Sequence, residues 1–221
     1  GQATVLAYTG TLVIDNVGPT AALGVALEAD TGLADDDFVT SNPKVNVDVA
    51  NLETDGAWQY TTDGNAGTPT WSTPSTGSFF DLPFGSYAAG SIVLKHVDLA
   101  GNQGQATVLA YTGTLVIDDV APSALAVLLA ADTGALGDDF VTSNPQVNVT
   151  GKESASEWVY SIDGGTQWSP AQAFDAVDFN LPFGVHAEGD IHVKEIDLAG
   201  NEQAAASVLA YTGTLVIDDV A

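Results

Sequence analysis

The chain of 221 residues has no cysteine, no methionine and no arginine; four lysines are its whole complement of permanent side-chain cations. Without cysteine there is no disulfide framework and no thiolate metal site. Against the 4 basic residues stand 29 acidic ones, a formal net charge of −25. Such a surface repels phosphate backbones and anionic head groups, which excludes nucleic-acid partners and membrane-surface roles. No apolar run approaches the roughly 18 residues of a membrane span, so no direct membrane insertion is expected. The N-terminus shows neither a basic region nor an apolar leader. What remains attractive to this chain is cations. The acids divide into 22 Asp and 7 Glu, and aspartate favours turns where glutamate favours helix surfaces. Hydrophobic residues make up 45% of the chain, enough for packed cores.

The strongest pattern is repetition. Residues 1–19 (GQATVLAYTGTLVIDNVGP) recur at 104–122, differing only at Asn16/Asp119 and Gly18/Ala121, and a third copy, SVLAYTGTLVIDDVA, occupies 207–221. Between these copies ADTGLADDDFVTSNPKVNV (29–47) matches ADTGALGDDFVTSNPQVNV (131–149), FDLPFG matches FNLPFG, and DLAGN occurs at 98–102 and 197–201. A period near 100 residues is a domain, not a solenoid turn. The expected organisation is residues 1–18 as the closing strand and linker of a preceding repeat, repeat 1 at 19–118, a linker at 119–121 and repeat 2 at 122–221. A permuted register, with 1–14 inside repeat 1 and 204–221 left over, is the alternative. Val17-Gly18-Pro19, matching the linker Val120-Ala121-Pro122, argues against it.

Each repeat reads as β throughout. VNVDV, SIVLKHV, IHVKEI and TLVI alternate apolar with polar residues and are separated by Gly, Asp, Asn and Pro turns. The alanine-rich stretch 124–131 is the nearest approach to a helix. The reading is all-β: two tandem immunoglobulin-like Greek-key β-sandwiches, extended end to end, with about seven strands each. Trp58, Trp71, Trp158, Trp168, Phe84 and Phe183 are assigned to core and rim packing.

Calcium takes six to eight hard oxygens on a flexible loop. In a seven-strand sandwich the first long loop of repeat 1 (Asp30 to Asp37), the end of its last strand (Asp118, Asp119) and the DLAGN loop of repeat 2 (Asp197 to Asn201) fall at one pole. Carboxylates within about 4–6 Å drive one another toward protonation, and a shared cation relieves them. The candidate calcium ligands are Asp30, Asp36 and Asp37 with Asp118 and Asp119. Their counterparts are Asp132, Asp138, Asp139 and Asp218. The DLAGN residues Asp98, Asn102, Asp197 and Asn201 join them, and Asp15 is expected beside Asp98 and Asn102. Asp63 and Asp163, in Asp-Gly turns, read as turn formers.

Taken together, L…DTG…DD-x-V-T, W-x-Y-S-x-DGG-x-x-W, DLAGN and TLVIDD-x-AP resemble the immunoglobulin-like repeats of giant RTX- and Bap-type bacterial surface adhesins, over nearly the whole chain. The family's commoner form has Ser after DTG, where this chain has Leu33 and Ala135. The resemblance implies calcium-binding extender repeats, exported by a type I pathway to the cell surface, that hold a ligand-binding region away from the cell in attachment and biofilm formation. Adjacent repeats of the same chain are then the partners, with no small-molecule substrate.

Catalysis lacks parts: there is no cysteine, no histidine recurs in register, and neither G-x-S-x-G nor H-E-x-x-H is present. Two non-enzymatic classes remain, a calcium-locked spacer and a carbohydrate- or protein-binding module of a secreted bacterial protein. The near-identity of the copies favours the spacer, since recognition loops diversify. The fragment itself is expected to be a monomer, with strand exchange available through residues 1–14.

Overall fold

A computed structural model describes residues 3–218, and every element in that range is a β-strand. In chain order the strands are β1 (Gly24–Leu27), β2 (Val39–Thr40), β3 (Lys44–Asp48), β4 (Ala57–Thr61), β5 (Phe79–Asp81), β6 (Gly85–Ala88), β7 (Val93–Val97), β8 (Gln103–Val108) and β9 (Thr114–Ile117). The same series then begins again with β10 (Ala126–Leu129), β11 (Val141–Thr142), β12 (Gln146–Thr150), β13 (Glu157–Ser161), β14 (Gln172–Ala173) and β15 (Asp178–Asn180). It closes with β16 (Gly184–Ala187), β17 (His192–Ile196), β18 (Ser207–Val208) and β19 (Thr214–Ile217). The expected ends at residues 1–2 and 219–221 lie outside the described residues.

The chain forms two compact units, one of residues 1–28 with 44–115, the other of residues 29–43 with 116–221. In the first, β1-β3-β5 and β4-β7-β8 are antiparallel sheets. Alternation on β3 buries Val45 and Val47, and Trp58 of β4 meets Phe80 of β5 at 5.7 Å, so the two sheets share one core. The second unit repeats the plan with β10-β12-β15 and β14-β13-β17-β18. Its core gathers Val147, Val149, Trp158, Phe179, Ile191, Val193, Leu215 and Ile217. The chain passes from β12 across to β13, back to β15 and across again to β17, the Greek-key connectivity of an immunoglobulin-like sandwich.

The stretch 124–131 contributes β10, in line with the all-β reading: Val127 points into the core at 6% exposure while Leu128 stands 61% exposed, a period of two. Phe84 and Phe183 fall at the rim, being 53% and 57% exposed. Residues 3–18 form no strand, although their sequence is that of β8–β9. The closing segments at 103–117 and 207–217 do form strands, each broken by a turn at Tyr111–Gly113 or Tyr211–Gly213 where the glycine takes φ of 72° or 77°.

All four lysines lie over aromatic rings: Lys44 over Phe79 (4.7 Å), Lys95 over Trp71 (3.9 Å), Lys152 over Trp158 (5.5 Å) and Lys194 over Trp168 (4.7 Å). In a chain of net charge −25 the few cations serve as covers for the hairpin aromatics.

Candidate acidic loop and clasp

The loop between β1 and β2 is built from its hydroxyls and its first aspartate. Thr40, fully buried, accepts the Thr31 N–H at 3.0 Å and the Asn42 N–H at 3.1 Å, and its hydroxyl pairs with that of Thr31 at 2.7 Å. Asp30 Oδ2 accepts the Phe38 N–H at 2.7 Å. That bond holds Phe38 at φ 60°, a conformation uncommon for an aromatic residue. The Phe38 carbonyl then accepts the Val116 N–H at 2.8 Å and Thr40 the Asp118 N–H at 3.0 Å, so β2 runs parallel to β9 in the register Val39↔Val116, Thr40↔Ile117. Repeat 2 rebuilds the device: Asp132 Oδ2 takes the Phe140 N–H at 2.9 Å, Phe140 has φ 57°, and Thr142 receives Thr133. The Thr31–Thr40 and Thr133–Thr142 pairs were not singled out from sequence. Their signal was the V-T-S that follows the acids in both copies.

The second carboxylate oxygen is left over. Asp30 Oδ1 and Asp132 Oδ1 are both shielded from solvent and make no hydrogen bond among the described residues. Burial pushes the Asp30 carboxyl above its ordinary value, and the charges of Asp37, Asp35 and Asp36 push it further, against the lowering effect of the Phe38 bond. Asp36 and Asp37 are exposed, as are Asp138 and Asp139, and Asp37 and Asp139 cap the N–H groups of Val39 and Val141.

DLAGN is a closed turn. Asp197 accepts the Asn201 N–H at 2.8 Å on one oxygen and the Asn201 side-chain amide at 2.9 Å on the other. Asp98 and Asn102 repeat this at 2.8 Å and 2.8 Å, and the Asn102 side chain, first among the causes, holds the Asp98 carboxyl below its ordinary value. The same amide reaches a strand end: Asn201 Nδ2 donates to the Asp118 carbonyl at 3.0 Å and Asn102 Nδ2 to the Asp15 carbonyl at 3.2 Å. Asp15 therefore does adjoin Asn102, through its backbone. Its carboxylate, like that of Asp118, caps the N–H two residues on, at 3.0 Å and 2.9 Å. Asp119 and Asp218 are exposed.

Within the second unit the acidic loop and the second DLAGN turn are in direct contact. Leu33 N–H donates to Leu198 O at 3.0 Å and Ser41 N–H to Ala199 O at 3.1 Å. A Cβ on Gly32 would stand 2.2 Å from Leu198 O, and one on Gly200 2.6 Å from Thr31 O, so both glycines are required by the close backbone approach. The structure thus brings Asp30, Asp118, Asp197 and Asn201 into one region, joined by the loop-to-turn backbone bonds and by the Asn201 side-chain amide. Among the described residues no three of His, Asp and Glu are grouped so as to hold a metal ion.

Two of the three histidines have structural employment. His96 is fully buried and its Nε2 accepts the Glu53 N–H at 3.2 Å. His186 Nε2 lies 3.0 Å from Pro182 O, the place taken by the Tyr87 hydroxyl at Pro83 O.

No family model matches the chain, and no curated protein does. Among solved structures it is similar to that described as "Structures of Clostridium thermocellum CbhA fibronectin(III)-like modules", with 10% identity, a TM-score of 0.41, and coverage of 89% of this chain and 94% of that one.

Proposed function

We propose that the chain is a structural spacer: tandem immunoglobulin-like repeats of a large bacterial surface adhesin, stiffened at the acidic loops by calcium, that carry a ligand-binding region away from the cell for attachment and biofilm formation. The single observation behind this reading is the loop-to-turn clasp of the second unit, Leu33 to Leu198 and Ser41 to Ala199, made by two motifs that each occur twice in the chain. A joint made of recurring motifs is what an extensible array needs. The adhesin context, the cell-surface location and type I export come from the sequence resemblance.

The donor set fits a hard cation at the acidic loops. Asp30 and Asp132 each present a shielded carboxylate oxygen with no hydrogen-bond partner among the described residues, beside further acids at 36–37 and 138–139. Asp30 and Asp132 would hold the ion, with Asp36, Asp37, Asp138 and Asp139 as neighbouring acids, backbone carbonyls and water completing the shell. The ion would supply charge neutralisation in a loop whose like charges otherwise oppose its closure. Asp98 and Asp197 already have both oxygens committed to the asparagine of their own turn. Their part in this proposal is to shape the turn that receives the loop.

The second reading, a binding module, draws on one recurrent feature. Each repeat has an open groove beside its hairpin tryptophan, lined by Tyr160, Asp163 and Trp168 in one and by Tyr60, Asp63 and Trp71 in the other. A calcium titration by calorimetry beside a glycan array separates the two. The spacer binds calcium and leaves the array empty; the module lights specific glycans, and Trp168→Ala abolishes them.

A further inference from the structure

Two of the lysines show how this chain seats a cation. Lys194 lies 4.7 Å over the Trp168 ring and pairs with Glu202 at 2.5 Å, and Lys44 lies 4.7 Å over the Phe79 ring and pairs with Glu28 at 2.8 Å. An aromatic ring and a carboxylate act together on one charge. The hairpin groove of repeat 2 offers the same two parts toward solvent. It is an open groove of about 500 Å³, with Tyr160 and Trp168 on its walls, Asp163 at its turn and no lysine among its lining residues. Asp163 Oδ1 is committed, accepting the Ser161 hydroxyl at 2.7 Å and the N–H groups of Thr166 and Gln167 at 3.0 and 2.9 Å. Oδ2 of this exposed residue makes no hydrogen bond among the described residues. Those bonds, that of the Gln167 N–H first, hold the carboxyl below its ordinary value. At neutral pH it is therefore ionised and already oriented.

The rest of the chain selects the charge of a ligand. A net charge of −25 draws cations to the surface and rejects anions. A neutral sugar gains nothing from that field, whereas a guanidinium gains from it and from both parts of the groove. Its plane stacks on an aromatic ring while its N–H fork reaches a carboxylate oxygen, which a point-like ammonium does less well. The chain has no arginine of its own to fill the place.

Repeat 1 carries a smaller groove of about 250 Å³, lined by Tyr60, Asp63 and Trp71. Asp63 Oδ1 is likewise committed, to the Thr61 hydroxyl and to the Thr70 N–H at 2.9 Å. The difference is the lysine. Lys95 lies 3.9 Å over Trp71 and makes no ion pair among the described residues, Gln103 standing after DLAGN where repeat 2 has Glu202. Its uncompensated charge opposes a second cation beside it.

We propose that the hairpin groove of repeat 2 docks an arginine side chain of a basic partner peptide, seated against Tyr160 and Trp168 with its guanidinium on Asp163 Oδ2. The groove of repeat 1 is a weaker copy. This site rests on the groove of the second reading above and takes a cationic side chain in place of a glycan. It uses no residue of the acidic loops, so it stands apart from calcium.

The test is an NMR titration of the full chain, in chelator, with acetyl-Gly-Arg-Gly-amide. The same peptide carrying citrulline, which keeps the shape and loses the charge, is titrated beside it. Indole N–H signals separate the sites, because Trp58 and Trp158 are buried in the cores while Trp71 and Trp168 line the grooves. A saturable shift at Trp168, a weaker one at Trp71 and none with citrulline are expected. Asp163→Asn keeps the Oδ1 acceptor of the turn and replaces Oδ2. It is expected to weaken binding at Trp168 about tenfold and to leave the Trp71 response unchanged, which also reports that the variant is folded. Asp175→Asn removes the same charge from an exposed position outside the groove and is expected to change little. Gln103→Glu is expected to raise the Trp71 response toward that of Trp168. Equal losses in Asp163→Asn and Asp175→Asn overturn the proposal, and so does equal binding of the citrulline peptide, a comparison made on the parent chain. A glycan that saturates Trp168 where the arginine peptide does not overturns this proposal and leaves the second reading standing. Silence toward both overturns the two together.

Discussion

The side-chain amide of Asn201 donates at once to Asp197 Oδ2 and to the main-chain carbonyl of Asp118, at 2.9 Å and 3.0 Å. One short side chain therefore ties a turn to the end of a strand 83 residues away in sequence. Asn201→Ala removes both bonds and leaves two acceptors without that donor, for an expected loss of about 1–2 kcal/mol in urea unfolding. Asn102→Ala has an additional acid signature. Asn102 holds Asp98 below its ordinary value of 3.8, so Asp98 contributes stability that is present above that value and lost as pH falls through its lower folded value. The variant gives up that contribution at neutral pH, and its deficit against the parent shrinks as pH falls below 3.8 through the lowered folded value.

Asp30 has the opposite sign. Its folded value is raised by burial and by Asp37, Asp35 and Asp36, so its charged form opposes folding above the raised value, and the opposition fades as pH falls through it. In chelator Asp30→Asn is expected to unfold at a higher temperature than the parent at pH 7, with the gap closing toward pH 4. A parent that is the more stable of the two at pH 7 in chelator contradicts the assignment of strain to this carboxylate.

Gly200 and Gly101 have nearly the same φ, 85° and 89°, but a Cβ meets Thr31 O at 2.6 Å in the first and nothing in the second. Alanine at either position carries the left-handed strain of roughly 1–2 kcal/mol. Gly200→Ala must also push the acidic loop off the turn, and it is expected to cost about 1–3 kcal/mol more than Gly101→Ala. Equal costs would show that the clasp is not tightly packed.

Much of the fold was legible because the repeats advertise their own strands: VNVDV, TLVI and the hairpin tryptophans fell where period two and the turn residues put them. Residues 3–18 carry the sequence of β8–β9 yet form no strand here, because local sequence does not report whether a partner is present. The equivalence of His96 and Glu195 was hidden by linear comparison, and only the pairings Trp58↔His96 and Trp158↔Glu195 expose it. Both are fully buried and accept the N–H of residue 53 or 153. An imidazole nitrogen and a carboxylate oxygen fill one acceptor position, which composition would not suggest.

The acidic loop was legible through its carboxylates, while the hydroxyls that shape it were not. Thr40 reads as an ordinary β-branched strand residue, yet its Oγ1 meets Thr31, Asn42 and the Ala29 carbonyl in full burial. Thr40→Val keeps the shape and deletes the partner of those groups, with an expected loss of about 1–3 kcal/mol. Thr40→Ser retains the hydroxyl and should recover most of it. Equal losses in both variants would assign the position to packing alone.

The central claim is that a hard cation completes the acidic loops, and thermal unfolding of the whole chain in calcium, magnesium and chelator tests it most directly. Extracellular calcium modules bind at about 10⁻⁴–10⁻³ M, so ~10 mM calcium at the tighter limit contributes about 2.7 kcal/mol per site. For a chain of this size that is a rise of roughly 5–10 °C per site in the unfolding midpoint. Magnesium is expected to give much less, and Asp30→Asn with Asp132→Asn to abolish the calcium increment. A midpoint that is the same in calcium and in chelator would contradict the account.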